Sequence, residues 1–183
     1  MANTWTARTA GTVAFASNKS MIAVVNLASS GVVVRVYRIW ALNNQTAVVT
    51  GVSTPIQVQR VTTAQTTEAG ITGTVITPVA HDTNNTALTN KVACYTNATT
   101  NMSTTTSIYR QVILTADEPA TTVFTPDEWW EFPMICEIFN AGYKDSNLEP
   151  IVLRPGEGLE VRQPGSNATG VFQFNMLFTS GAS

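Results

Sequence analysis

From Val171 to Phe178 the chain alternates in polarity: Phe172, Phe174, Met176 and Phe178 fall on one side, Gln173 and Asn175 on the other. A repeat of two places four bulky side chains on one face only if the backbone is extended, because a helix would scatter them around its axis. The same pattern recurs. Ile56 and Val58 alternate with Gln57 and Gln59, and Ile108, Val112 and Leu114 share a face along 107–114. Met21 to Leu27 is an apolar run closed by Asn26, as a strand covered on both sides would be. Between these segments stand turn formers, such as Ala28-Ser29-Ser30-Gly31, Asn43-Asn44-Gln45, Asn140-Ala141-Gly142 and Arg154-Pro155-Gly156-Glu157-Gly158. No stretch carries the repeat of a long amphipathic helix.

Composition agrees with this reading. The hydrophobic fraction is 44% but the charged fraction is 12%, about half of what globular chains carry. Thr, Asn, Ser and Gln replace the missing charge, and Val is the favoured apolar residue; β-branched side chains suit a pleated surface. With 183 residues, one domain can bury roughly 70% of its unfolded surface without staples. The expectation is an all-β, jelly-roll-like antiparallel β-sandwich of about eight strands. Periodicity does not give the strand order. Residues 1–18 read as an N-terminal arm or edge strand, and 19–183 as a single sandwich domain.

Individual segments carry more specific expectations. Val32 to Leu42 places Val32, Val34, Val36, Trp40 and Leu42 on one face, broken by Arg38, and Val33, Arg35, Tyr37 and Ile39 on the other. Thr46 to Thr50 reads as a short strand. His81 to Thr106 is Asn/Thr-rich and reads as the longest loop. Thr125-Pro126-Asp127-Glu128 opens one helical turn, with Thr as N-cap and Pro at the first position. Ile151-Val152-Leu153 and Leu159-Glu160-Val161-Arg162 read as two paired strands around a turn.

The net charge is −2 and no Lys/Arg block occurs, so wrapping nucleic acid through clustered cations is not expected. Cys94 and Cys136 read as buried free thiols, with one long-range disulfide as the alternative. The start, Met1-Ala2-Asn3-Thr4-Trp5, lacks a basic region followed by an apolar run, and no segment has the length of a membrane span. Cytoplasmic synthesis without membrane association is therefore expected. The sequons at Asn44, Asn84, Asn97, Asn101 and Asn167 are what an Asn/Thr-rich chain produces by chance.

Three segments, in this order, resemble the jelly-roll cement or decoration proteins of tailed-bacteriophage heads and related phage structural proteins. The first is Ile22-Ala23-Val24-Val25-Asn26-Leu27-Ala28-Ser29-Ser30-Gly31 leading into Val34-Arg35-Val36-Tyr37-Arg38-Ile39-Trp40. The second is Gly73-Thr74-Val75-Ile76-Thr77-Pro78 with His81-Asp82-Thr83-Asn84. The third runs from Pro150 to Leu159 and on into the final aromatic strand. The resemblance implies a structural virion protein on the outer capsid surface. It would bind the major capsid protein, oligomerise with itself (a homotrimer is favoured) and need no cofactor.

Candidate chemistry is sparse. His81 beside Asp82 has no nucleophile motif to complete a triad and reads as a loop histidine next to a turn-forming aspartate. Asp117, Glu118, Glu128, Glu131 and Glu137 are the densest carboxylates, and a helix start plus solvation accounts for them. Asp145, Asn147 and Glu149 alternate as calcium-loop ligands do but lack an EF-hand's glycine and distal glutamate. Neither catalysis nor a metal is expected. Interface anchors are expected at Trp5 and Arg8 in the arm and at Trp129, Trp130 and Phe132, since Trp and Arg dominate binding hot spots; the alternatives are that Trp5 docks on the domain itself and that one of Trp129 and Trp130 is buried with the other on the rim. Two rivals remain: a carbohydrate- or receptor-binding module of a fibre or tail, reading glycans with aromatics and Asn-rich loops, and an enzyme built on the same sandwich.

Overall fold

The computed structural model describes residues 3–10, 13–14, 19–43, 52–61, 73–98, 107–116, 135–142, 149–164 and 171–182. In chain order their strands are β1 (Asn3–Arg8), β2 (Val13–Ala14), β3 (Ser20–Asn26), β4 (Val32–Asn43), β5 (Val52–Val61), β6 (Thr74–Ile76) and β7 (Val79–Ala80). There follow β8 (Val92–Ala98), β9 (Ile108–Ala116), β10 (Ile135–Asn140), β11 (Ile151–Leu153), β12 (Gly158–Arg162) and β13 (Val171–Ala182). The chain is an all-β sandwich of two antiparallel sheets. One runs β10-β4-β13-β1-β7, with β11 also on β4 and β2 on β13; the other runs β6-β8-β3-β12-β5-β9.

Pairing is nested. β1 pairs with β13, β3 with β12, β4 with β10 and β5 with β9. Each of these pairs lies within one sheet, and successive pairs alternate between the sheets, as when one long hairpin is wrapped into a sandwich. That is the jelly-roll arrangement of eight strands. The insertion between β5 and β9 widens it, adding β8 and β6 beyond β3 and β7 beyond β1. These three, with β2 on β13 and β11 on β4, make thirteen strands among the described residues where about eight were expected.

The core lies between the sheets. Phe172, Phe174, Met176 and Phe178 of β13 are fully buried there, as their alternation predicts, facing Ile22, Val24, Leu159 and Val161 of the other sheet. A smaller buried cluster (Ala23, Val25, Leu27, Val61, Ala93 and Tyr95) occupies the outer face of the second sheet. This is why β3 is apolar on both faces.

Residues 1–18 do not form a separate arm where they are described. β1 is an interior strand, held by β13 on one side and β7 on the other, so it is neither a free arm nor an edge. On β4 the expected face holds only as far as Val36. Arg38 faces Leu177 and Val36 faces Phe178, so Tyr37 is an extra residue, a bulge that exchanges the two faces. Ile39 and Ala41 therefore enter the core, whereas Trp40 and Leu42 do not.

Two further expectations are corrected. Val92 to Thr96, placed within a long loop, is buried and pairs with β3. β11 and β12 belong to different sheets, so the turn between them crosses the sandwich and does not close a hairpin. Gly156, at φ 88°, makes that crossing possible. Asn26 secures it: its side-chain amide donates to the carbonyls of Val32 and Leu153, at 2.8 and 2.9 Å. Its backbone N–H donates to Glu157 and its carbonyl accepts from Gly156. The expected strand at 46–50 and helical turn at 125–128 lie outside the described residues.

Candidate interaction surfaces

Two sheets of this topology have two margins. At one, β6 ends the second sheet and β7 the first, and the two strands are joined by Thr77-Pro78. At the other, β9 ends the second sheet and lies beside β10, which ends the first. The exposed large apolar residues follow this division. Val75 (69%) and Val79 (68%) stand at the first margin; Ile108 (47%), Tyr109 (45%), Ile113 (67%) and Ile135 (52%) stand at the second. Among the described residues, none lies on a strand in the middle of a sheet. Unpaired strand edges carrying apolar side chains are what proteins usually shield with charge or proline. Here that shielding is thin.

The second margin is also organised. The Arg60 guanidinium, on β5, donates to the Tyr109 hydroxyl and to the Val152 carbonyl (3.2 Å), and forms an ion pair with Glu157 at 2.7 Å. The same group lies 5.5 Å from the centre of the Tyr109 ring. These contacts bind β5 and β9 of one sheet to β11 of the other. Beside them runs an open groove of about 510 Å³ whose lining includes Arg60, Tyr109, Arg110, Phe139, Glu149 and Pro150. At the first margin a second groove, about 730 Å³, is lined by uncharged residues, including Thr77, Asn85, Thr89 and Asn90 over Trp5 and Tyr95.

The outer face of the first sheet carries a row across four strands. Arg8 lies opposite Asn175, Asn175 opposite Trp40, and Trp40 opposite Glu137. Arg38 holds Glu137 with three hydrogen bonds of 2.8 to 3.1 Å while its guanidinium sits 4.8 Å over the Trp40 ring. Sequence reading passed over Trp40 because the bulge at Tyr37, which turns it outward, leaves no local signature.

The expected anchors are distributed unevenly. Trp5 is 6% exposed and belongs to the core, its indole N–H donating to Ser180 Oγ at 3.2 Å. Of the two expectations for Trp5, docking on the domain itself is what the structure has, because β1 turns Trp5 inward from a paired strand. Arg8 is exposed, on the outer face just described. Trp129, Trp130 and Phe132 lie outside the described residues, as do Asp145 and Asn147.

His81 is exposed and lies 2.8 Å from the Thr6 hydroxyl, and Asp82 accepts from the backbone N–H of Asn84 at 2.9 Å, the expected turn. Cys94 and Cys136 are free thiols, Cys94 buried and Cys136 half-buried. Among the described residues, no three of His, Cys, Asp and Glu gather as metal ligands would, and no helix is long and apolar enough to cross a membrane.

Glu160, on β12, is 1% exposed, and its Oε1 accepts from Gln59 Nε2 at 2.5 Å. Burial pushes its carboxyl above the usual range, opposed by that hydrogen bond and by the charge of Arg162.

Compared with known proteins, the chain matches no family, no curated protein and no solved structure.

Proposed function

We propose that this chain is a structural protein of a virus particle, a cement or decoration protein that stabilises a tailed-phage head through protein–protein contacts. The observation that supports this most is the confinement, among the described residues, of the exposed large apolar side chains to the two sandwich margins. A rigid body with greasy edges and a weakly charged surface is suited to standing in a fixed array of neighbours. Its action is contact, not catalysis; its partners are the major capsid protein and further copies of itself; its place is the outer surface of the virion. The exposed Arg8 and the half-buried Trp40 on the first sheet's outer face supply residue types that dominate binding hot spots.

The test is co-sedimentation of the purified chain with heads of the phage that encodes it, stripped of the protein. Saturable binding that raises the temperature at which the heads rupture supports the proposal. Absence of binding at concentrations of about 10 µM, well above a typical specific Kd, sinks it.

A glycan-binding module is the second reading, favoured by the uncharged, amide-rimmed groove over Trp5 and Tyr95. Glycan binding abolished by Asn85→Ala and Asn90→Ala, without head binding, would select it.

A further inference from the structure

Along β13 the side chains of Gln173, Asn175, Leu177 and Thr179 fall on the outer face of the first sheet, between those of β1 and β4. Two of them carry polar atoms that nothing satisfies. Asn175 is 3% exposed, yet its amide nitrogen has no hydrogen-bond partner. The Thr179 hydroxyl oxygen, also shut off from solvent, has none either. Buried polar groups in folded proteins are nearly always paired, because an unmade hydrogen bond leaves the cost of desolvation uncompensated. Each orphan stands next to an arginine: Arg8 of β1 is opposite Asn175, and Arg35 of β4 is opposite Thr179.

The charges on this face do not balance. It carries Arg8, Arg35 and Arg38 but, among the described residues, one carboxylate, Glu137, which Arg38 holds. Arg8 and Arg35 have no salt bridge among the described residues. The remaining described acids leave them so. Glu157 is paired with Arg60, Glu160 is buried on the second sheet, and Glu149 lines the groove at the second margin. Asp82 follows β7, three strand spacings or about 14 Å from β4, and sits near Thr4, at the opposite end of β1 from Arg8. Among the arginines stand half-buried Trp40, Leu42 and Leu177. Aromatic and arginine side chains are enriched in the middle of protein–protein interfaces, where lysine and acids are scarce.

We infer that the outer face of the first sheet docks a carboxylate-rich protein surface, one carboxylate received by Arg8 and Asn175 and a second by Arg35 and Thr179. Each pair sets an N–H or O–H donor beside a cation, an arrangement that a carboxylate satisfies with its two oxygens. Asn175 and Thr179 are four residues apart on β13, which spaces the two carboxylates about 13 Å apart along the strand. A basic partner is repelled, and a neutral one leaves both arginines without a counter-charge. This rests on the reading of the chain as an assembly protein and adds which face meets the partner and what the partner presents.

The probe is a short capped peptide of alternating Glu and Thr, whose carboxylates line one side when it is extended. It is titrated into the full isotope-labelled chain to about 5 mM, where even weak binding registers in NMR shifts. Shifts should concentrate on β1, β4 and β13, with the Asn175 side-chain N–H and the Trp40 indole N–H among the largest. Arg8→Gln with Arg35→Gln should weaken binding at least about tenfold, the loss of two charge-assisted contacts. Asn175→Leu, which keeps the volume and removes the donor, should weaken it at least about threefold; Asn175→Ser serves if the leucine variant melts early. Lys91→Gln with Arg110→Gln, an equal charge change away from this face, should bind as the parent does.

No shifts at that concentration overturn the inference. So do shifts spread evenly over both sheets, or an equal loss of binding in the two double variants. A DNA duplex held at this face more tightly than the peptide would assign the arginines to phosphate and overturn it too. The assembly reading is separable: head binding unchanged in Arg8→Gln with Arg35→Gln sinks only the docking face, and a chain that takes the peptide but ignores heads sinks only the cement role.

Discussion

Replacing Trp5 by alanine should cost stability, not binding. The side chain is 6% exposed, in the core between the sheets, on β1 opposite Phe178 of β13. A buried tryptophan removes about 200 Å² from water, worth about 5 kcal/mol at roughly 25 cal/mol per Å². Measured losses for such replacements run to about 3–5 kcal/mol, since the site partly collapses. The change also strips Ser180 Oγ, itself 5% exposed, of its indole donor, adding about 1 kcal/mol. A total near 5 kcal/mol corresponds to a fall in Tm of roughly 10–20 °C for a chain of this size. Urea and thermal unfolding followed by circular dichroism measure it. Wild-type melting in Trp5→Ala, together with lost assembly, would restore Trp5 as a surface anchor and refute the interior placement of β1. The same reasoning predicts that deleting residues 1–10 abolishes cooperative melting, because β13 then loses a partner along six registered residues.

Three further outcomes follow from the geometry. Gly158→Ala should destabilise by about 1–3 kcal/mol in urea unfolding, because a Cβ there would meet the Val24 carbonyl at 3.2 Å and the Val61 Cβ at 3.2 Å; an unchanged midpoint contradicts that packing. Glu160 has a folded pKa raised above its ordinary 4.5, so the native state holds its proton more tightly than the unfolded chain. Stability should thus be full below about pH 4.5 and decline as pH rises through the folded value. Glu160→Gln should flatten that decline and be the more stable protein at pH 8, and an equal slope in both proteins would exclude Glu160 as its source. Burial pushes both thiols up, Cys94 furthest, so a thiol reagent should modify Cys136 at least tenfold faster than Cys94 in the folded protein, with comparable rates arguing against the burial of Cys94.

What the sequence makes legible is whatever depends on neighbours along the chain. The alternation of Phe172 to Phe178 places β13 correctly, and the Gly and Asn turns bound β3, β4 and β10. What it hides depends on strands far away. The bulge at Tyr37 is set by pairing with β13, some 140 residues on, and it reverses which of Trp40 and Ile39 enters the core. β8 is masked by its Asn- and Thr-rich flanks, although Val92 to Tyr95 contains the apolar run that the second sheet buries. β11 and β12 look like a hairpin because a turn joins them, yet turn chemistry does not say whether the chain returns to the same sheet or crosses. Trp5 looks unsupported because its partner, Ser180, lies 175 residues away. The apolar margins share this property: Val75, Val79, Ile113 and Ile135 read as ordinary strand residues until topology makes their strands edges.

On the reading proposed above, electron cryomicroscopy of intact particles of the tailed phage that would carry this chain tests the central claim most directly. The account predicts two-sheet density of this topology repeated over the outside of the head, its β6–β7 and β9–β10 margins buried against neighbours. Heads bare of it, or sandwiches found with both margins facing solvent, would contradict the account.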